Sequence, residues 1–541
     1  MCQFWKKLNP TKKTIVIFAC IFLLGFVFRA YNFSDWLRLN MDQSRDIVLV
    51  ENATSTQSWP LLGPKAGGTE FRLGPAFYYF QIISAKIFGA SPASVALPDL
   101  FFSLLSIPLF FLLARIYFNK SISLSLTWLF AISYFVIKYS RFAWNPNSTP
   151  FFVMLFIYSV YRINNTEKYE KIWWAILAGF SMGVGMQLHT TLLIIMPVAA
   201  LFFAYYLLKN KTLTVAVASV MLASILLINA GQIVSEVRTG GLNTLAFFLS
   251  STTKNSRNTN FLDNLALNAT CHVRANFGIV ASYGREEECG YADVVRDAKK
   301  LDGNRMPLTD KITLVLYMLG ATVFSLGGYY LLFRAMRKEA DEKKRLFLKL
   351  ALSYVILTFL FFTIWATELS MRFFLILEFV PFLLLGFWLK FLAEKSKKRW
   401  LIISIVLIFS FLSLQKDYVV FKDLQFGGRE INDNFEYITL GEVNFVVDYM
   451  QKNNAGEKIS YLDAQGGYLF KALRSLQFVA KKTGLEIVEL NKDVELATGD
   501  RLFYLKNSKG NCQLEDRIAI KYAVEDCVNY RQFSVFNLKV K

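Results

Sequence analysis

The stretch Asn40-Met-Asp-Gln-Ser-Arg-Asp-Ile-Val-Leu-Val-Glu51 gathers the residues best suited to chemistry, directly after the first long apolar segment. Asp42 and Asp46 lie four residues apart with Arg45 between them, and on a helical turn that spacing puts both carboxylates on one face. Two acids beside a cation are equipped for proton transfer, so the stretch reads as an active-site loop. The bland alternative is a solvated linker whose acids only cap a surface helix. For an isolated Asp-x-x-x-Asp the solvated linker is the favoured reading; the positions of the other polar motifs shift the balance.

Composition sets the elements that must position such a loop. The 541 residues are 54% hydrophobic and include 51 Phe, against an apolar share of about 45–50% for soluble chains even with Gly counted. A polytopic α-helical membrane protein is expected. The net charge of +19 does not indicate nucleic acid, because the basic residues sit in short clusters between apolar segments rather than along one amphipathic face. That distribution is a topology signal.

The first span covers residues 14–31, a little under the roughly 20 residues that cross a bilayer. Further spans are expected at about 94–117, 121–139, 148–163, 172–188, 190–208, 211–230, 310–334, 347–366, 371–393 and 399–415, about eleven in all. Residues 75–89 are aromatic and interrupted by Gln81, Ser84 and Lys86, which predicts a helix lying at the membrane surface. Lys6, Lys7, Lys12 and Lys13 hold the N-terminus in the cytoplasm, and no cleavable signal peptide is expected. Threaded from there, the basic clusters at 119–120, 164–171, 209–211, 333–345 and 394–399 all fall inside. The loops 32–93 and 231–309 and everything after about 416 fall outside. This gives a membrane domain over 1–415 and an extracytoplasmic domain over 416–541, in a membrane of the bacterial inner or plasma type.

The outside segments share a chemistry. They read Thr69-Glu-Phe-Arg-Leu-Gly-Pro-Ala-Phe-Tyr-Tyr79, Lys138-Tyr-Ser-Arg-Phe-Ala-Trp-Asn-Pro-Asn147, Gln187-Leu-His-Thr-Thr191 and Glu368-Leu-Ser-Met-Arg372. Each sets a charged or amide group at the outer mouth of a span. One alone would be interfacial anchoring; four together with Asp42 point to a polar cavity at the outer face. A transporter, the competing class, would place such groups near the midplane on broken helices, whereas the span centres here are mostly bare. A non-catalytic membrane scaffold is a third reading.

The order of these motifs resembles the GT-C glycosyltransferases, and most closely the branch holding the protein O-mannosyltransferases and the lipid A aminoarabinose transferase. The resemblance runs over about residues 10–415: Asp-Gln-x-Arg-Asp after the first span, Gly-Pro-x-x-Tyr-Tyr before a Phe-Gly, Ser-Arg-Phe-x-Trp-Asn-Pro-Asn, Gln-x-His, and a late Met-Arg-Phe. Its specificity rests on order and sidedness. The family's catalytic acid lies in the first outside loop, a position that Asp42 matches; Gln43 replaces the second acid and leaves Asp46 as the stand-in. Where a basic residue often precedes the Pro-x-x-Tyr-Tyr motif, this chain has Gly74, with Arg72 the nearest cation.

The resemblance implies transfer of a sugar from a polyprenyl phosphate to a hydroxyl acceptor, which would be a lipid, glycan or protein, outside the membrane. Asp42 would remove the acceptor's proton. Arg72, Arg141, His189 and Arg372 would stabilise the departing lipid phosphate without a metal, although a divalent ion is compatible with the scheme. For Arg141 and Arg372 the alternative is anchoring to lipid headgroups of the surrounding membrane. Arg45, Glu70, Tyr78 and Gln187 would position the acceptor or the site. Asn145 and Asn147 read as turn residues around Pro146.

Two cysteine pairs, Cys271 with Cys289 and Cys512 with Cys527, fall on the oxidising side of this topology and predict two disulfides. Beyond about residue 433 the hydropathy drops. The runs at 458–462, 485–490 and 501–505 read as strands of a small α/β domain, with helices over 445–450 and 469–482. Nothing in it resembles a catalytic motif, so a cover or an acceptor-binding module is expected.

Overall fold

The first apolar run forms α1 (Pro10–Ala30), which starts where the side-chain carbonyl of Asn9 accepts from Lys12 N at 2.8 Å with Pro10 in the first turn. A computed structural model of the chain describes residues 9–254, 260–283, 289–292, 295, 308–365, 369–396, 399–427, 438–454, 456–465, 468–490, 496–507 and 512–541. After α1 come α2 (Met41–Ser55), α3 (Ala76–Phe88), α4 (Pro92–Tyr117), α5 (Lys120–Ile132), α6 (Tyr134–Tyr139), α7 (Thr149–Asn165), α8 (Lys168–Leu188), α9 (Thr190–Lys209) and α10 (Val215–Ile228). Then follow α11 (Ala230–Thr239), α12 (Leu242–Lys254), α13 (Phe261–Ala281), α14 (Leu308–Lys338), α15 (Glu342–Trp365), α16 (Phe379–Ser396) and α17 (Arg399–Phe426).

This is an integral membrane protein. Six described helices are long and apolar enough to cross a bilayer, namely α1, α4, α9, α14, α15 and α17. Two bent pairs raise the number to eight: α10 with α11 at 63°, and the 3-10 turn Met371–Leu377 with α16 at 69°. Eleven spans is more than these criteria support, partly because the segment 121–139 breaks at Ser133 into α5 and α6. A helix, α3, forms over the stretch 75–89, with Phe77, Tyr78, Gln81 and Ile82 buried against the rest of the chain.

The segment 231–309 is not the plain loop that its polarity suggested. Its helix α13 packs against α14, α15 and α16, and two of its buried polar side chains are hydrogen-bonded inside the bundle. Asn268 Nδ2 donates to Phe359 O and Thr363 Oγ1, both at 2.8 Å, and His272 Nε2 lies 2.6 Å from Tyr329 OH. The span interiors are also less bare than hydropathy indicates, since Arg29, Asp99, Glu378 and Asp417 are all buried.

The C-terminal part holds a five-stranded sheet. Its strands are β1 (Ile459–Ala464), β2 (Glu486–Glu489), β3 (Arg501–Asn507), β4 (Tyr522–Tyr530) and β5 (Phe533–Val540), in the order β2-β1-β3-β5-β4. The β2-β1-β3 half is parallel, with Tyr461 opposite Val488 and Leu502; the β3-β5-β4 half is antiparallel. Helices α18 (Leu440–Asn453) and α19 (Tyr468–Lys482) accompany the parallel half, α20 (Asp516–Ala519) precedes β4, and a disulfide joins Cys512 to Cys527. The second expected disulfide, Cys271 to Cys289, is also formed. Helix α19 packs on β1 and β2 and also meets α2, so this domain sits directly on the loop where the acids lie.

Candidate active site

The N-terminus of α2 is fixed before any charge is considered. Gln43, which stands where a second acid was expected, accepts from Asn40 N at 3.0 Å through Oε1 and donates from Nε2 to Ala143 O at 2.9 Å. It closes the first turn and ties it to the segment after α6. Asp42 is then the acid left outermost, its side chain 61% exposed and its Oδ1 2.9 Å from Arg45 Nη1. One turn on, Asp46 is 3% exposed. Its Oδ1 accepts three bonds: from Arg45 Nε and Nη2 at 2.9 and 2.8 Å, and from Tyr78 OH at 3.0 Å. Burial pushes the Asp46 carboxyl up to about 6, against the opposing pull of Arg45 and Tyr78. Burial likewise raises the Tyr78 phenol, which stays protonated and donating. The four-residue spacing thus yields one solvent-facing carboxylate and one buried anchor, bridged by a guanidinium.

Tyr78 reaches Asp46 because the chain entering α3 is tightly seated. A Cβ on Gly74 would lie 2.3 Å from Gln187 Cγ, and one on Gly63 would lie 2.1 Å from Gly74 O. Position 74 therefore has no room for the basic side chain that the family pattern carries. The buried Gln187 accepts from Ala76 N at 3.0 Å and donates to Ile228 O at 2.9 Å, taking up a carbonyl freed where α10 bends into α11. Gln187 is a positioning group rather than one that faces a substrate.

The four cations expected at a phosphate divide. Arg372 is exposed at the start of the 3-10 turn, lies over the Phe373 ring, and has no hydrogen-bond partner among the described residues. Its charge is felt by His189, whose pKa is lowered to about 4, first by burial and then by Arg372. His189 Nδ1 accepts from Thr191 N at 3.1 Å, which assigns the proton of the neutral ring to Nε2. Arg72 donates from Nε to Gly63 O at 3.0 Å, and its backbone is held on both sides by Asn243. Its charge reaches Tyr78. Arg141 is committed elsewhere: its guanidinium donates to Phe28 O, Arg29 O and Tyr31 O at 2.7–2.9 Å, closing the C-terminal end of α1. Glu70 is engaged in an exposed pair with Lys65, a contact that contributes little.

Sequence reasoning missed Asp99. Buried in α4, it accepts from Trp144 N at 3.0 Å and from Ser148 Oγ at 2.5 Å, and so holds the turn at Asn145–Ser148 that precedes α7. An acid alone within a long apolar helix was the available signal. In the same turn Asn145 Nδ2 donates to Leu188 O at 2.6 Å, beside His189, so Asn145 is structural as the turn reading held. No group of three His, Cys, Asp or Glu side chains able to hold a metal occurs among the described residues.

Residues 73–233, from the α3 entry through Gln187 and His189 to the bend after α10, match the family model described as dolichyl-phosphate-mannose-protein mannosyltransferase. The fold is that of ArnT from Cupriavidus metallidurans. In the apo state that structure aligns with TM-score 0.56 at 11% identity over 98% of each chain; bound to undecaprenyl phosphate it aligns with TM-score 0.55 at the same identity and coverage. No curated protein matches the chain by sequence. The family match covers the segment 73–233 and the likeness to ArnT is one of fold, so the chain is similar to these membrane proteins in part of its sequence and in its architecture.

Proposed function

We propose that this protein is a GT-C-type membrane glycosyltransferase that moves a sugar from a polyprenyl phosphate to a hydroxyl of a lipid, glycan or protein acceptor at the extracytoplasmic face, with Asp42 as general base. The observation that carries this reading is the first turn of α2, where one carboxylate is exposed and oriented by an arginine that a buried acid and a tyrosine hold in place. Asp42 takes the acceptor's proton while the acceptor oxygen bonds to the anomeric carbon. The bond from that carbon to the phosphate oxygen breaks, and the electron pair leaves with the lipid phosphate. Arg372 and the Nε2–H of His189 meet the growing negative charge, with Arg72 on the α3 side. Because His189 is neutral, it contributes a hydrogen bond and Arg372 the charge.

The undecaprenyl phosphate of the ArnT complex supports the donor class. Purified full-length protein incubated with a radiolabelled polyprenyl-phosphate sugar and candidate acceptors should release free polyprenyl phosphate and label the acceptor. A transporter would release no lipid phosphate. The side is tested by Ser55→Cys, which a membrane-impermeant thiol reagent should label in intact cells; protection would place α2 in the cytoplasm.

A further inference from the structure

The C-terminal domain meets the membrane part on the residues that lead into Asp42. Leu39 N donates to Ile438 O at 2.9 Å, Leu440 N donates to Leu37 O at 2.8 Å, and Gly441 N donates to Asp35 O at 3.0 Å. A Cβ on Gly441 would fall within 2 Å of the Asp35 carboxylate, so residues 35–39 and 438–441 lie backbone against backbone. Asp35 also pairs with Arg531 of the β4–β5 turn, and Glu51 in α2 pairs with Lys482 at the end of α19.

At the centre of this contact are two buried hydroxyls. Ser475, in the middle of α19, donates to Leu39 O at 2.7 Å, and its Oγ lies 2.8 Å from Ser44 Oγ in α2. Both serines are within 2% of full burial. Each hydroxyl has one proton. With the Ser475 proton on Leu39 O, the proton in the 2.8 Å contact between the two hydroxyls comes from Ser44, whose hydroxyl also lies 3.0 Å from Asn40 O. The result is one directed chain, Ser44 to Ser475 to Leu39 O, whose ends attach on either side of the Asn40-Met41-Asp42-Gln43 turn. A single hydroxyl from the distant domain therefore fixes both flanks of the turn that carries Asp42.

We infer that Ser475 is a positioning residue for transfer, through which the C-terminal domain sets the orientation of Asp42. The domain is thus part of the catalytic architecture, and not only a cover above it. This rests on the reading of Asp42 as base.

Turnover and KM are measured on full-length protein for Asp42→Asn, Ser475→Ala, Ser475→Thr and the double variant Asp42→Asn with Ser475→Ala. Ser475→Ala should lower kcat about tenfold with donor KM unchanged, as expected for slight misplacement of a reacting group. Ser475→Thr, which keeps the hydroxyl, should recover most of it. In the double variant the Ser475 change should add nothing to the loss from Asp42→Asn, because it acts through that carboxylate. Full additivity, an unchanged kcat in Ser475→Ala, or no recovery in Ser475→Thr would overturn the inference. If Asp42→Asn keeps wild-type turnover, it is the assignment of the base that fails; a Ser475→Ala loss that persists there would show that Ser475 acts on something other than Asp42.

Discussion

Two polar clusters in this molecule use the same side chains to opposite ends. At the start of α2, Asp42, Arg45, Asp46 and Tyr78 form a chain of contacts at 2.8–3.0 Å, and one carboxylate faces solvent. Inside the bundle, Arg29, Arg141, Glu378 and Asp417 influence one another electrostatically from a greater distance. Arg29 bonds only neutral partners, Ser103 Oγ, Gly25 O and Ala131 O, and neither oxygen of Asp417 has a hydrogen-bond partner among the described residues. The outer set leaves one group available because the others are fully engaged. The inner set has no such outlet: all four side chains are buried within the bundle.

The sharpest way to break this comparison is Asp42→Asn, which keeps shape but cannot accept a proton. Turnover should fall about a hundredfold to ten-thousandfold, with donor binding little changed. If Asp46→Asn abolishes transfer while Asp42→Asn does not, the base is the buried acid and the contrast between the two acids inverts.

The inner cluster should respond in stability instead. Arg29→Met removes the cation between Glu378 and Asp417, and should cost roughly 3–5 kcal/mol, the range for breaking a buried ionic set by losing one partner. Denaturant unfolding in detergent measures it. A variant of wild-type stability that has lost transfer would move this cluster into the catalytic machinery.

A smaller effect is expected for Arg372→Ala. Loss of one charge-assisted contact corresponds to about tenfold to hundredfold in donor affinity, and a KM measurement in which only kcat changed would count against a phosphate contact.

The smallest effect concerns pH and belongs to Asp46. Its folded carboxyl titrates at about 6, above the ordinary 3.8, so its contribution to stability is complete below about 3.8 and is lost as pH rises through about 6. Activity should run the other way, because protonated Asp46 grips Arg45 less firmly; kcat should decline as pH falls below about 6. Both trends should flatten in Asp46→Asn, and an acid limb unchanged in that variant would assign it to another group.

The parts of this molecule that were legible in the sequence are those governed by short-range rules. The alternation of basic clusters marks the apolar segments, the spacing of Asp42 and Asp46 puts them on one face, and the two cysteine pairs lie close in the chain. What was not legible depends on partners far away. Asn268, His272, Arg274 and Asn276 dilute the apolar signal of α13 although all four are buried. Asp46 differs from Asp42 in being buried and bonded by Tyr78, a residue of another helix. The strand β4, open along one edge of the sheet and largely exposed, carries no buried alternation to read, so the β4–β5 hairpin escaped notice. The join between α19 and α2 spans 431 positions and left no local trace.

The length of α17 has a mechanical consequence. Its 28 residues form one uninterrupted rod of about 42 Å, some 12 Å longer than a hydrocarbon layer of about 30 Å. At its far end Gly427 abuts Arg531 so closely that a methyl group there would overlap the backbone. The end of the rod is therefore tied to the β4–β5 turn by direct backbone contact, and not only through the chain that follows it.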